Sequence, residues 1–140
     1  MTLTDYRANI IAKCFVRAYH EGYDLESLAR HLLTSPAGQN ILNEEDLMSY
    51  TAPIYMLQWL VEDGSIPKTS NKDYNDYMAW YAGHIYKRWY DKGTHTPEQI
   101  YKYAPMGVIS NAFGRLHTHG WGYCIDWLTR VGEQEERACK

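Results

Sequence analysis

His117 and His119 stand one residue apart in the run Leu116-His117-Thr118-His119-Gly120-Trp121. A His-x-His pair can grip a metal when the backbone is extended, because alternate side chains then share a face. Zinc would take its remaining ligands from His, Cys, Asp or Glu. Within one helix the two rings point apart, and the surrounding periodicity sets them at a junction between helices. There His117 closes one helix, where the dipole favours a cation, and Thr118 caps the next. The pair is therefore a lesser candidate for metal, and the chain reads as holding neither metal nor cofactor.

Nucleophilic chemistry has no better footing. Cys14 and Cys124 lie on apolar stripes, where a thiol behaves as a small hydrophobe and its thiolate is disfavoured. Cys139 lies close to the last residue. The sequence contains no GxSxG elbow, phosphate loop, GxGxxG or HExxH. The carboxylates of Glu44-Glu45-Asp46 sit where a helix start favours them, after Asn43. The expectation is a protein that is not an enzyme.

Binding chemistry is more promising on one helix. Tyr74, Tyr77, Met78, Tyr81, Ile85 and Trp89 recur at helical spacing and mark an inward stripe. Trp80, His84 and Lys87 are left to face outward, in one region with Arg88 and Tyr90. A Trp beside cations on a rigid helix has the composition of an interface hot spot, so these five residues are the candidate partner-binding set. Ala79 and Gly83 lie on a further face, where small side chains let a second helix approach closely.

The elements that must position these groups read as helices throughout. The first runs from about Asp5 to Glu21, with Ile10, Ile11, Cys14, Phe15 and Ala18 as its stripe and Gly22 as its stop. Asp24 caps a second, carrying Leu25, Leu28, Ala29, Leu32 and Leu33. Ser35-Pro36 opens a short third. Asn43-Glu44-Glu45-Asp46 begins another, and Pro53 kinks it or starts a new helix reaching about Glu62. Residues 63–73 read as a linker. The long helix ends at Gly93, Thr96-Pro97-Glu98-Gln99 is a capping box, and Pro105 separates two further helices. Ile109, Ala112, Phe113 and Leu116 form one stripe and Trp121, Cys124, Ile125, Leu128 and Val131 the last. Residues 132–140 read as a frayed charged tail. No segment alternates with period two, so the fold class is all-α: a compact bundle of about six to eight helices in one domain, residues 1–131.

The two halves also resemble each other. Arg17-Ala18-Tyr19-His20-Glu21-Gly22 matches Arg88-Trp89-Tyr90-Asp91-Lys92-Gly93 at an offset of 71, and Tyr55 to Leu60 matches Tyr123 to Leu128 at 68. Two pseudo-repeated units, 5–62 and 74–131, would place their closing helices near the centre.

Composition sets the outer bounds. At 140 residues the chain makes one domain with a real core. Thirteen Tyr and five Trp beside two Phe favour rings with a packed body and a hydrogen-bonding tip, a type enriched at interfaces. A net charge of −3 lacks the cationic excess that nucleic acid demands. A helix-turn-helix within Asp24 to Leu42 or Thr96 to Leu116 would carry few cations on its recognition helix, so a DNA-binding operon regulator is the second reading and an enzyme without a recognisable motif the third. No apolar run reaches the length of a membrane span. Three scattered cysteines and no secretory signal at Met1-Thr2-Leu3 read as a cytoplasmic protein.

Tyr81-Ala82-Gly83-His84-Ile85-Tyr86-Lys87-Arg88-Trp89-Tyr90, followed by Thr96 to Pro105, resembles a motif of small all-helical bacterial proteins. Leu116-His117-Thr118 with Gly120 and Tyr123 to Leu128 resembles the closing motif of another such group. Together these stretches span about a third of the chain. The resemblance implies an antitoxin-like or mobile-element accessory protein that occludes or anchors a protein partner, which a second copy of the chain could also supply as a homodimer. It assigns no catalytic residue. Lys87-Arg88 departs from the single Arg flanked by aromatics in that motif. With every periodic segment at 3.6 residues, far-UV circular dichroism should show a predominantly helical spectrum, and a sheet-dominated one would overturn the architecture.

Overall fold

A computed structural model describes residues 2–43 and 53–139. Among the described residues there are eight helices: α1 (Leu3–Glu21), α2 (Leu25–Thr34), α3 (Pro36–Asn43), α4 (Pro53–Gly64), α5 (Asp76–Lys92), α6 (Pro97–Tyr103), α7 (Met106–Leu116) and α8 (Trp121–Ala138). The chain is an all-α bundle. None of these helices is long and apolar enough to cross a membrane.

The local rules account for the boundaries. Thr2 accepts from Asp5 N and caps α1, while Gly22 closes it at φ +82°. Asp24 accepts from Ser27 N at the start of α2. Ser35 Oγ accepts from Gly38 N at 2.9 Å before α3. Asn75 caps α5, Gly93 ends it at φ +75°, and Thr96 with Gln99 forms the full capping box of α6. The helix start read at Glu44 to Asp46 lies outside the described residues.

Packing is organised about the crossing of α1 and α5. A Cβ on Gly83 would lie 2.6 Å from Ala12 Cα and 2.8 Å from Ala12 N, so only glycine lets the two backbones meet there. Phe15 and Tyr86 face each other beside it, ring centroids 5.9 Å apart. Both pairs, 12 with 83 and 15 with 86, are separated by the offset of 71 found in the sequence. The closing helices do not take the central place: α4 packs on α1 and α2, and α8 on α5 and α6. The first helix of each half occupies the middle instead, because those two carry the small residues that permit close approach.

Two further expectations need correction. Residues 63–73 are not a free tether. Asp63 and Gly64 belong to α4, and Ile66 and Asn71 are buried. The Asn71 side chain accepts from Leu25 N at 3.2 Å and donates to Tyr23 O at 2.6 Å, pinning the loop to the α1–α2 turn. Nor does the chain fray at Gly132. The helix α8 continues to Ala138, because the buried Gly132 leaves room for the Tyr103 ring against its backbone and the Tyr103 hydroxyl donates to Glu136 at 2.6 Å.

Gly83→Val should therefore be among the most damaging single changes in the chain. Overpacking against backbone cannot be relieved by a rotamer, so a loss of about 3 kcal/mol or more is expected in urea denaturation. A Gly83→Val protein of wild-type stability would disprove the close crossing.

Candidate functional site

The five residues singled out on α5 do not share an outward face. His84 is 4 % exposed and Lys87 2 %. The helix is covered around most of its circumference, with Ala79, Tyr81 to Lys87 and Trp89 all buried. The periodic stripe was misleading because α5 is enclosed on several sides, so polar side chains such as His84 and Lys87 are buried along with the apolar ones. Conversely Tyr77, read as core, is 50 % exposed. It sits in the first turn of α5, beyond the edge of the packed centre.

Lys87 and Tyr90 form one internal cluster. Lys87 Nζ donates to Leu42 O at 2.5 Å and to Asp91 at 2.8 Å, and lies 5.2 Å from the Tyr90 ring centroid. Tyr90 is half-buried and its hydroxyl donates to Asn43 at 3.0 Å. Burial lowers the Lys87 pKa, the Asp91 carboxylate opposing the fall. This lysine ties the end of α3 to α5, and it is not available to a partner.

Trp80, His84 and Arg88 form a second cluster with Asp5 of α1 and Trp121 of α8. The His84 ring stacks on Trp121, centroids 4.9 Å apart and planes 12° apart, and contacts Trp80 at 4.3 Å. Arg88 Nε donates to His84 Nδ1 at 3.2 Å, while its Nη1 pairs with Asp5 at 2.7 Å. The guanidinium lies 5.0 Å from the Trp121 ring centroid. Arginine only donates, so Nδ1 must hold a lone pair and the proton of the neutral ring is on Nε2. That Nε2 is buried without a hydrogen-bond partner among the described residues. Burial first, then the Arg88 charge, depress the His84 pKa to about 4, against a smaller opposing pull from Asp5. The Thr2 backbone N–H and then Arg88 hold the Asp5 carboxyl down at about 2.

Outside this cluster the rings come to the surface. Tyr77 meets Trp80 at 5.6 Å and Phe113 at 5.2 Å, and Phe113 stacks on His117 at 4.7 Å. Trp80 meets Trp121 at 5.7 Å. Trp80, Phe113 and Trp121 are half-buried and Tyr77 and His117 exposed, so five rings from α5, α7 and α8 make one continuous aromatic face. Of the expected set only Trp80 belongs to it. Phe113 and His117, four residues apart on a helix, were the sequence sign of this face.

His117 closes α7, and its Nδ1 lies 2.8 Å from Phe113 O. The residue ahead of α8 is Gly120, not Thr118. His119 stacks instead on Tyr123 at 4.2 Å. No group of three or more metal-ligating side chains occurs among the described residues. Cys14 is buried and its pKa pushed up to about 12 by desolvation, and Cys124 is buried with its Sγ 3.2 Å from Leu116 O. No family model matches the chain, and neither the curated proteins nor the solved structures contain a match.

The buried imidazole makes stability pH-dependent. Its folded pKa lies below the ordinary 6.5, so the unfolded chain binds the proton more readily. The contribution of His84 is complete above about 6.5, falls as pH drops towards about 4, and is level below that. Urea midpoints across that window should fall less steeply with acid in His84→Gln than in wild type. Equal slopes would mean that His84 is not buried neutral.

Proposed function

We propose that the chain is a non-catalytic interaction protein that docks a protein partner on the aromatic face of Tyr77, Trp80, Phe113, His117 and Trp121. The observation that carries this reading is the unbroken contact of five rings, from three helices, at the surface. Isolated surface aromatics are common, whereas a contiguous patch marks a site that something covers. Tyr and Trp supply large contact area at little conformational cost, and partner-binding hot spots are enriched in both. The rings are also held in place before binding. Arg88 grips Asp5 beneath Trp121, and His84 fills the space between Trp80 and Trp121, so little ordering remains to be done on association.

A net charge of −3 speaks for a protein partner over nucleic acid. The resemblance of Tyr81 to Leu128 to operon-borne helical proteins would make that partner a toxin or a mobile-element protein, bound and occluded. A second copy of the chain is the other protein that could meet the same face.

Tyr77→Ala and His117→Ala should each change stability by about 1 kcal/mol or less, since both side chains are exposed and lose ring contacts and, for His117, one exposed contact with Phe113 O. Each should abolish co-purification of the partner retained by wild type from the cells that express it, or dissociate a homodimer in sedimentation. Trp89→Ala, which empties a fully buried site, should instead cost about 3–5 kcal/mol. Full retention of the partner by both surface variants would sink the proposal.

A further inference from the structure

Asp5, Arg88 and Trp121 form a closed arrangement at one end of the α1–α5 pair. The guanidinium is bonded to the carboxylate at 2.7 Å and lies 5.0 Å from the indole centroid. The offset of 71 sets Asp76 in the place of Asp5 and Arg17 in that of Arg88, and the offset of 68 sets Pro53 in the place of Trp121. At this second location both charges are present and the ring is missing. Arg17 is turned to Glu21 at 2.9 Å, and Asp76 lies 3.9 Å from His20 Nε2. Beside Pro53, the counterpart of Trp121 in sequence, a groove of about 450 Å³ opens, with Val16, Ile54 and Trp80 along its apolar wall.

We propose that this groove receives an aromatic side chain of the protein partner, a Trp or Tyr flanked by carboxylates. It rests on the interaction role proposed above and adds the chemistry of the partner. The chain's own Trp121 shows what satisfies such a guanidinium: an indole laid over it, with a second indole, Trp80, alongside. The groove shares Trp80 with the aromatic face, so one ligand segment can cover both. Its volume is in the range of sites that enclose a small organic group. Lys13 and Arg17 of α1 line its rim, with Arg17 held by the exposed Glu21, so a carboxylate beside the incoming ring can meet Lys13 or take the place of Glu21 on the guanidinium. The pairs that now hold Arg17 and His20 are solvent-exposed. Such pairs are worth about 0–1 kcal/mol, so both side chains can be re-aimed at little cost.

The test uses the full chain labelled with ¹⁵N and three capped peptides: acetyl-Glu-Trp-Glu-amide, acetyl-Glu-Leu-Glu-amide and acetyl-Lys-Trp-Lys-amide. The first should shift the Trp80 indole N–H and the Arg17 Nε–H, and the other two should bind at least about fivefold more weakly. Arg17→Gln should weaken the first peptide by a similar factor. Pro53→Trp supplies the ring from the chain itself and should abolish binding, and Ile54→Trp does the same should the first variant fail to fold. Equal binding of the Leu or the Lys peptide, or shifts confined to other parts of the chain, overturns the proposal. The native partner separates this result from the broader reading. If the peptides fail while Tyr77→Ala still loses the partner, the groove proposal falls and the interaction role stands. If the first peptide binds as described but Tyr77→Ala and His117→Ala both keep the partner, the groove stands and the aromatic face falls.

Discussion

The contact of Gly83 with the backbone of Ala12 is the constraint on which the rest of the molecule depends. Two helices brought this close exclude side chains from their line of contact and push every larger group to the flanks. Phe15 and Tyr86 then meet on one flank. At one end of the pair, Arg88 reaches from α5 to Asp5 at the start of α1. A wider crossing would leave the guanidinium short of its carboxylate, and Trp121 would lose the cation over which it lies.

Enclosing α5 brings polar groups inside, and each is handled differently. Lys87 keeps its charge partner in Asp91 and gives a second hydrogen bond to the end of α3. His84 is buried neutral, one nitrogen accepting from Arg88 and the other left over. Tyr86 donates its hydroxyl to Ala104 O at 2.8 Å, in the turn between α6 and α7. The bonds of Lys87 and Tyr86 join the central helix to α3 and to the α6–α7 turn at specific atoms, which apolar packing alone does not do. The aromatic face inherits this definition, since Trp80 and Trp121 both rest on the His84 ring.

The helices were legible because their ends are chemically marked: Asp24, Thr96, Gly22 and Gly93 do in the structure what their types imply. Ala79 and Gly83 also announced a close helix contact, though not its partner. The faces of α5 were not legible. A period of 3.6 distinguishes one inward stripe from the remainder, but α5 has neighbours on several sides, and what encloses His84 and Lys87 includes Trp121 and Leu42, far away in sequence. Tyr77 misled for the opposite reason, an apolar-looking position one turn beyond the core. The helical continuation past Gly132 was hidden because glycine ordinarily ends helices, and here its missing side chain is what Tyr103 occupies.

The crossing of α1 and α5 joins segments 71 positions apart, with α2, α3 and α4 between them in the chain. During synthesis the stripe of Ile10, Ile11, Cys14 and Phe15 leaves the ribosome long before its cover exists. Within the first half α1 has α2 and α4 to pack on, but the contact of Gly83 with Ala12 has to wait for α5. Loop-closure entropy has to be met before that contact gives anything back, so the topology predicts slower folding than in helical proteins whose contacts are local.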